Sequence, residues 1–212
     1  MKKYILPITF VGIGVITLAV LLVLCLFNQT ETGDMVQNYN NFVSKLSDDD
    51  LNTLQKKADE YNDSKSANEY DTNMFPNNTI GTIAIPSIDV NLPLYDSMDD
   101  EFLETGVCHV ENSALPTNKK GTHAAFISHS GLTTKTLFTN LNKLKDNDVF
   151  YIDFLGKRYT YKVMGRDVVN PDEIMNYISC DASNAYCTLI TCTPVGLNTH
   201  RLLVHAKLVA VS

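Results

Sequence analysis

The sequence predicts a mainly β domain, closed or sandwiched, with short helical insertions, behind an N-terminal transmembrane helix and a helical segment. Three observations predict it. From Thr79 onward the chain is a series of short apolar or alternating runs bounded by Gly, Asn, Asp or Pro, the pattern of strands separated by turns. Before that, residues 34–67 carry apolar residues at helical spacing. At the start, an uncharged run of 23 residues, 5–27, stands apart from everything that follows.

That first run, ILPITFVGIGVITLAVLLVLCLF, follows Lys2 and Lys3. As a helix it would be about 34 Å long, enough to cross a hydrocarbon core of about 30 Å. A signal peptide has a shorter apolar region, roughly 7–15 residues, and then a small-residue cleavage site. Here the run ends in Cys25-Leu26-Phe27-Asn28-Gln29, so an uncleaved anchor is expected. Lysines precede it, and Glu31 and Asp34 follow. The positive-inside rule then places 1–4 in the cytoplasm and everything after residue 28 outside the cell, on a single-pass anchor. The chain has a formal net charge of −7, and without Lys2 and Lys3 residues 28–212 carry −9. An acidic outer part with no Lys/Arg run argues against nucleic acid and against tight adhesion to anionic lipid.

Residues 28–78 are expected to be a helical segment and a linker. Met35, Tyr39, Phe42, Val43 and Leu46 form one apolar stripe, and Leu51, Leu54, Ala58 and Tyr61 a second. Ser47, followed by three aspartates, is a good N-cap for the second helix. These helices are either a spacer above the membrane or a part docked on the domain. Residues 62–78, rich in Asn, Ser and Asp, have the composition of a linker or mobile arm.

Residues 79–212 hold the strands. TIGTIAIP, IDVNLPLY, HAAFISH, VFYIDF, RYTYKVMGRDVV, AYCTLITC and HRLLVHAKLVAV each fit a strand, and LGK between two of them is a hairpin-type turn. SGLTTKTLFTNLNKLK and NPDEIMNYI have the pattern of short helices. Seven or eight short strands in about 130 residues favour a barrel or sandwich.

The chemistry concentrates at the end of AYCTLITC. Cys192 closes an apolar strand and precedes the Pro/Gly loop TPVG, a position at the rim where a substrate can reach it. A free thiol titrates near about 8.5, so a nucleophilic cysteine needs a cationic neighbour. Arg201 begins the next strand nine residues on, and across a short loop it can face Cys192 in an antiparallel pair. Its guanidinium would favour the thiolate and offer fixed donors to a developing oxyanion. A buried apolar role for Cys192 is the plain alternative.

A cysteine nucleophile wants a histidine to move protons. His129 follows an apolar strand and opens a Gly-containing loop, as Cys192 does. His123 lies on the same strand and face, but about 20 Å away at strand rise, so the two cannot serve one site. His109, His123, His200 and His205 fit surface or hydrogen-bonded core roles. Spacing alone does not single out His129. Metal binding would need three or four convergent ligands, and no CxxC or other recognised spacing occurs. Cys187 and Cys192, five apart on one strand, have Cα atoms separated by about 17 Å, beyond disulfide reach. Pairing of Cys108 with Cys180 or Cys187 stays open.

TLITCTPVGLNTHRLLV resembles the sortase signature, a TLxTC motif with an arginine nine residues after the cysteine. GVCHVENSALPTNKKGTHAAFISHSGLTTKTLFTNLNKLKDNDVFYIDF is similar to the family's segment around its histidine, and the likeness runs from about Gly81 to Leu208. The resemblance implies an eight-stranded sortase β-barrel and a membrane-anchored cysteine transpeptidase of Gram-positive bacteria. It makes Cys192 the nucleophile, His129 the general acid/base and Arg201 the group that stabilises the substrate carbonyl. Thr191, Thr193, Asn198 and Ser128 would border the substrate cleft. The implied partners are proteins bearing an LPxTG-like sorting signal, cut between Thr and Gly, and an acceptor amine from a pilin lysine or a cell-wall precursor. No cofactor or metal is implied.

CTPxGxNTHRLLV and the helical segment are most similar to class C, the pilin-polymerising sortases. That class usually carries a second hydrophobic segment and an Asp-Pro-aromatic lid. This sequence ends at Ser212 after a strand, and its nearest lid candidate is EYDTNMF, with Tyr70, Asp71 and Phe75. Alternatives to pilus assembly are a housekeeping-type cell-wall anchoring sortase, a thiol hydrolase with the same site, or a silent surface-binding barrel.

Overall fold

The computed structural model describes residues 5–64, 75–133, 135–178 and 183–212. Eight strands close into a barrel: β1 (Thr79–Ile85), β2 (Val90–Tyr95), β3 (Val107–His109), β4 (Thr122–Ile127), β5 (Val149–Phe154), β6 (Lys157–Val169), β7 (Ala185–Thr193) and β8 (His200–Val211). Around the barrel the order is β1-β2-β3-β4-β7-β8-β6-β5, and β5 returns to β1. The β2–β3 and β4–β7 pairs are parallel and the others antiparallel.

Strand periodicity explains why this closes. β5 alternates, with Phe150, Ile152 and Phe154 fully buried in the interior beside Ile83, Phe126 and Leu189. Each such side chain contributes about 1.5–3 kcal/mol of apolar burial. The β5–β6 turn at Leu155-Gly156 has positive φ at both residues (50° and 75°), as a tight hairpin requires. β4 and β7 lack clean alternation because both of their faces are covered. Ala125, Ile190, Leu203 and Val169 form a second cluster on the outer face, with Val110, Ile127, Ile174 and Ile178 packed against it. Strands buried on both sides read as continuous apolar runs.

Of three local results, the first and the last differ from the sequence reading. β3 is only three residues long, too short to show a period. NPDEIMNYI does form a helical turn, with α4 at Ile174–Tyr177 (α3 is the short Asp100–Leu103). SGLTTKTLFTNLNKLK contains only a 3-10 turn at Leu141–Lys143. Its Thr and Asn residues are poor helix formers, and Leu137, Phe138, Leu141 and Leu144 are all buried in the barrel core.

The helical segment docks. α1 runs without a break from Ile5 to Val43, and α2 spans Asp48–Ser64. Residues 28–34 offer one weak breaker, Gly33, whose penalty of about 1 kcal/mol does not stop a long helix. Ser47 caps α2 as expected: its Oγ accepts the Asp50 N–H and donates to the Asp50 carboxylate. Tyr39, Leu54 and Ala58 join the barrel core. The Tyr39 hydroxyl accepts the Leu155 N–H (3.0 Å), and Asn62 clasps Leu115 by both its N–H (2.8 Å) and its carbonyl (3.4 Å).

Candidate active site

The site is built where three neighbouring strands end together. β7 carries Cys192 and turns back through residues 194–199, where Leu197 and Asn198 donate N–H groups to the Pro194 carbonyl (3.1 and 2.9 Å). That turn sets the β7–β8 register so that Cys192 is directly opposite Arg201, two residues beyond the Ile190–Leu203 pair. Ile190 and Leu203 belong to the outer cluster, so side-chain alternation puts Cys192 and Arg201 on the outer face as well. Cys192 is half-buried, whereas Cys108 and Cys187 are fully buried. Burial pushes the Cys108 thiol up to about 12 and the Cys187 thiol well above its ordinary range.

β4 runs parallel to β7 with Ile127 opposite Ile190. The Ser128 N–H still donates to the Ile190 carbonyl (3.1 Å), so the next residue, His129, arrives beside Cys192. Ala125 belongs to the outer cluster and Ile127 packs against it, and His129 follows two residues past the end of β4. Its carbonyl is fixed by the Phe138 N–H (3.0 Å). Arg201 Nη1 donates to the Asn198 and His200 carbonyls (both 3.1 Å), leaving three other guanidinium N–H groups for a ligand. The structure therefore sets Cys192 and Arg201 opposite each other on one outer face, with the His129 backbone at the adjoining end of β4. Thiol, imidazole and guanidinium so placed can form an acyl-enzyme, move a proton and hold an oxyanion.

The flanking residues divide. Thr193 is half-buried and Asn198 exposed, both on the loop side of the cysteine. Ser128 and Thr191 are framework. They are 1% and 3% exposed, with their hydroxyls donated to the Gly106 and Ser128 carbonyls (2.7 and 2.8 Å), so neither hydroxyl faces a substrate. Phe75 is also a correction: it is 3% exposed and packs on Tyr39 and Phe42 at ring-centroid distances of 6.3 and 5.8 Å, a core position and not a plug. Tyr70 and Asp71 lie outside the described residues.

The remaining histidines take other roles. His109 is buried between Asp96 (Nδ1 to Oδ1, 3.1 Å) and the Ala114 carbonyl and Ser113 hydroxyl (Nε2, 3.1 and 2.9 Å). Ser113 there donates to the Val110 carbonyl, so this Asp–His–Ser arrangement is structural. His123 Nε2 and His205 Nδ1 share the Thr188 hydroxyl (2.7 and 2.9 Å), and His205 Nε2 meets Asp167 (3.2 Å). Desolvation lowers the His205 pKa, opposed by Asp167. Sequence reasoning missed this chain, because its members come from four strands. It also missed Ser130, whose hydroxyl donates to the Cys192 carbonyl (2.7 Å). Cys187, on the inner face of β7, and Cys108 are unbridged; Cys180 lies outside the described residues.

Comparison with known proteins agrees with this fold. The sortase domain model matches residues 83–209. A pilus-related sortase C of Group B Streptococcus superposes with a TM-score of 0.77 at 33% identity, covering 82% of this chain and 97% of that one. Clostridium perfringens sortase C, solved with the C-terminal cell wall sorting motif, superposes with a TM-score of 0.73 at 35% identity, covering 84% and 98%. Among curated proteins, sortase A of Streptococcus agalactiae is 31% identical over 133 residues, 61% of this chain and 52% of that protein. The match thus spans about half the length of that curated relative. With the barrel and the family model in agreement over the same residues, the chain belongs to the sortase family.

Proposed function

We propose that this chain is a membrane-anchored cysteine transpeptidase that cuts an LPxTG-like sorting signal between Thr and Gly and passes the acyl group to an amine, in pilus assembly. The observation that carries this is the register: Cys192 faces Arg201 across β7–β8, with His129 at the adjoining end of β4. The Cys192 sulfur, its proton taken by His129, attacks the Thr carbonyl carbon, and the oxygen's developing charge is met by Arg201 N–H groups. His129 then returns the proton to the leaving Gly amine as the C–N bond breaks, leaving a thioester. An acceptor amine loses a proton to His129 and attacks the thioester; the C–S bond breaks, the new amide forms, and His129 returns the proton to the Cys192 sulfur. No cofactor is needed in this cycle.

A pilin lysine is the acceptor favoured here, because the neighbouring structure is named as pilus-related. A cell-wall precursor amine is the other outcome of the same assay. The anchoring half of the proposal rests on α1, in which Gly14–Val43 is long and apolar enough to cross a membrane, with Lys2 and Lys3 on the cytoplasmic side. The last turns of that helix pack on the barrel, so a stiff stalk rather than a loose tether holds the site near the lipid surface. The test uses the full chain in detergent with an LPxTG-type peptide, with and without a pilin-lysine peptide. An amine-dependent ligation product supports the proposal. Release of free acid at a rate the amine does not alter would identify a hydrolase instead.

A further inference from the structure

The backbone ladder between β4 and β7 stops at the Ile127–Ile190 pair, just short of the residues the reaction uses. The two chains nevertheless stay joined. After the Ser128 N–H bond to the Ile190 carbonyl (3.1 Å), the next two links are made by side-chain hydroxyls. Thr191 Oγ1 donates to the Ser128 carbonyl (2.8 Å), and Ser130 Oγ donates to the Cys192 carbonyl (2.7 Å). His129 lies between these two clamps. Its own carbonyl is held by Phe138, and the Gly131 N–H by Thr139 Oγ1 (2.9 Å). Gly131 has φ +75°, and Val195 of the β7–β8 turn stands 2.5 Å from where a Cβ would be, so the turn after the cysteine rests on the glycine after the histidine.

We infer that Ser130 is a positioning residue of the transpeptidase: its hydroxyl, bonded to the carbonyl of Cys192, fixes the nucleophile's backbone against His129. This rests on the reading above, but on separate observations. Ser130 is 8% exposed and its hydroxyl is turned to Cys192 rather than to solvent. Of the bonds around His129 named above, this is the one that ends on the nucleophile itself. A hydroxyl link in place of continued backbone pairing keeps the two segments joined where the ladder has ended. Misplacement by about 1 Å can cost about 10²-fold in rate, so the expected effect is on turnover rather than on substrate capture.

The experiment compares Ser130→Ala and Ser130→Thr with the wild type, as full chains in detergent. Turnover of an LPxTG-type peptide, alkylation of Cys192 by iodoacetamide and thermal unfolding are each measured. Ser130→Ala is expected to lower kcat about 10- to 100-fold with KM within about twofold, and Ser130→Thr, which keeps the hydroxyl, to restore most of it. Ser130→Ala with unchanged kcat overturns the inference, as do Ala and Thr variants that are equally impaired. A Ser130→Ala chain that fails to fold, or that loses turnover only in proportion to its folded fraction, overturns it too, by making the bond merely structural. If the wild type turns over no sorting peptide, the transpeptidase reading fails by itself. Ser130 is then judged by alkylation of Cys192, which should change in the Ala variant and not in the Thr variant.

Discussion

Two cysteines on one strand live in opposite surroundings. Cys187 points into the barrel, fully buried among apolar side chains, and burial holds its thiol protonated. Cys192, an odd number of residues further along β7, emerges half-buried on the outer face opposite Arg201. The strand, the fold and the residue type are shared; alternation and a cationic partner are not. On the proposed reading, reactivity depends on which face a residue is on and what the next strand places across from it.

The largest effect should come from removing the outer of these two thiols. Cys192→Ala is expected to abolish acyl transfer, at least about 10³-fold, with the fold intact by circular dichroism. Residual turnover above that level would break the comparison. Arg201→Ala should lower kcat about 10²- to 10³-fold, with Lys recovering only part of it because an ammonium lacks the planar fork. A merely supportive role would leave kcat within a few-fold.

Stability changes sharpen the other side. Asn62→Ala leaves the buried Leu115 N–H without its partner, which should destabilise by about 1–3 kcal/mol in denaturant titration while leaving kcat close to wild type. An unchanged midpoint would mean that the helical segment is not part of the folded unit. Cys187→Ala should lower stability by about 1 kcal/mol, read as a fall in Tm of about 2–4 °C, with turnover retained. The smallest effect concerns pH. His205 has its pKa lowered by desolvation, so the neutral form is the one the fold favours. Its contribution is present above the unfolded value of about 6.5 and is lost as pH falls below that. Wild type should therefore lose stability on acidification through that range more steeply than His205→Gln. Identical slopes would remove His205 from the account.

Much of this was legible in the sequence, and the gaps have physical reasons. The strand ending at Cys192, the short turn and the partner Arg201 follow from local pattern, because an antiparallel hairpin fixes its own register. His129 did not follow from pattern alone, since β4 pairs in parallel with a strand 63 residues away and no turn encodes that register. The resemblance to sortases singled it out. The docking of α1 and α2 was open because a stripe such as Tyr39 and Leu54 shows that a face is buried, without showing against what. Thr191 and Ser128 looked like cleft residues because they adjoin the reactive pair, yet alternation turns their hydroxyls toward backbone carbonyls. Ser130 gave no signal at all: what a serine bonds is decided by tertiary structure.

The central claim is that Cys192, and neither buried thiol, carries the acyl group. Full-length protein in detergent, incubated with an LPxTG-type peptide and without acceptor amine, should gain the mass of the acyl fragment ending in Thr. Peptide mapping should place that thioester on Cys192, and added amine should discharge it. An adduct on Cys108 or Cys187 would contradict the account. So would no adduct with sorting-type peptides while Cys192 remains open to a small alkylating reagent.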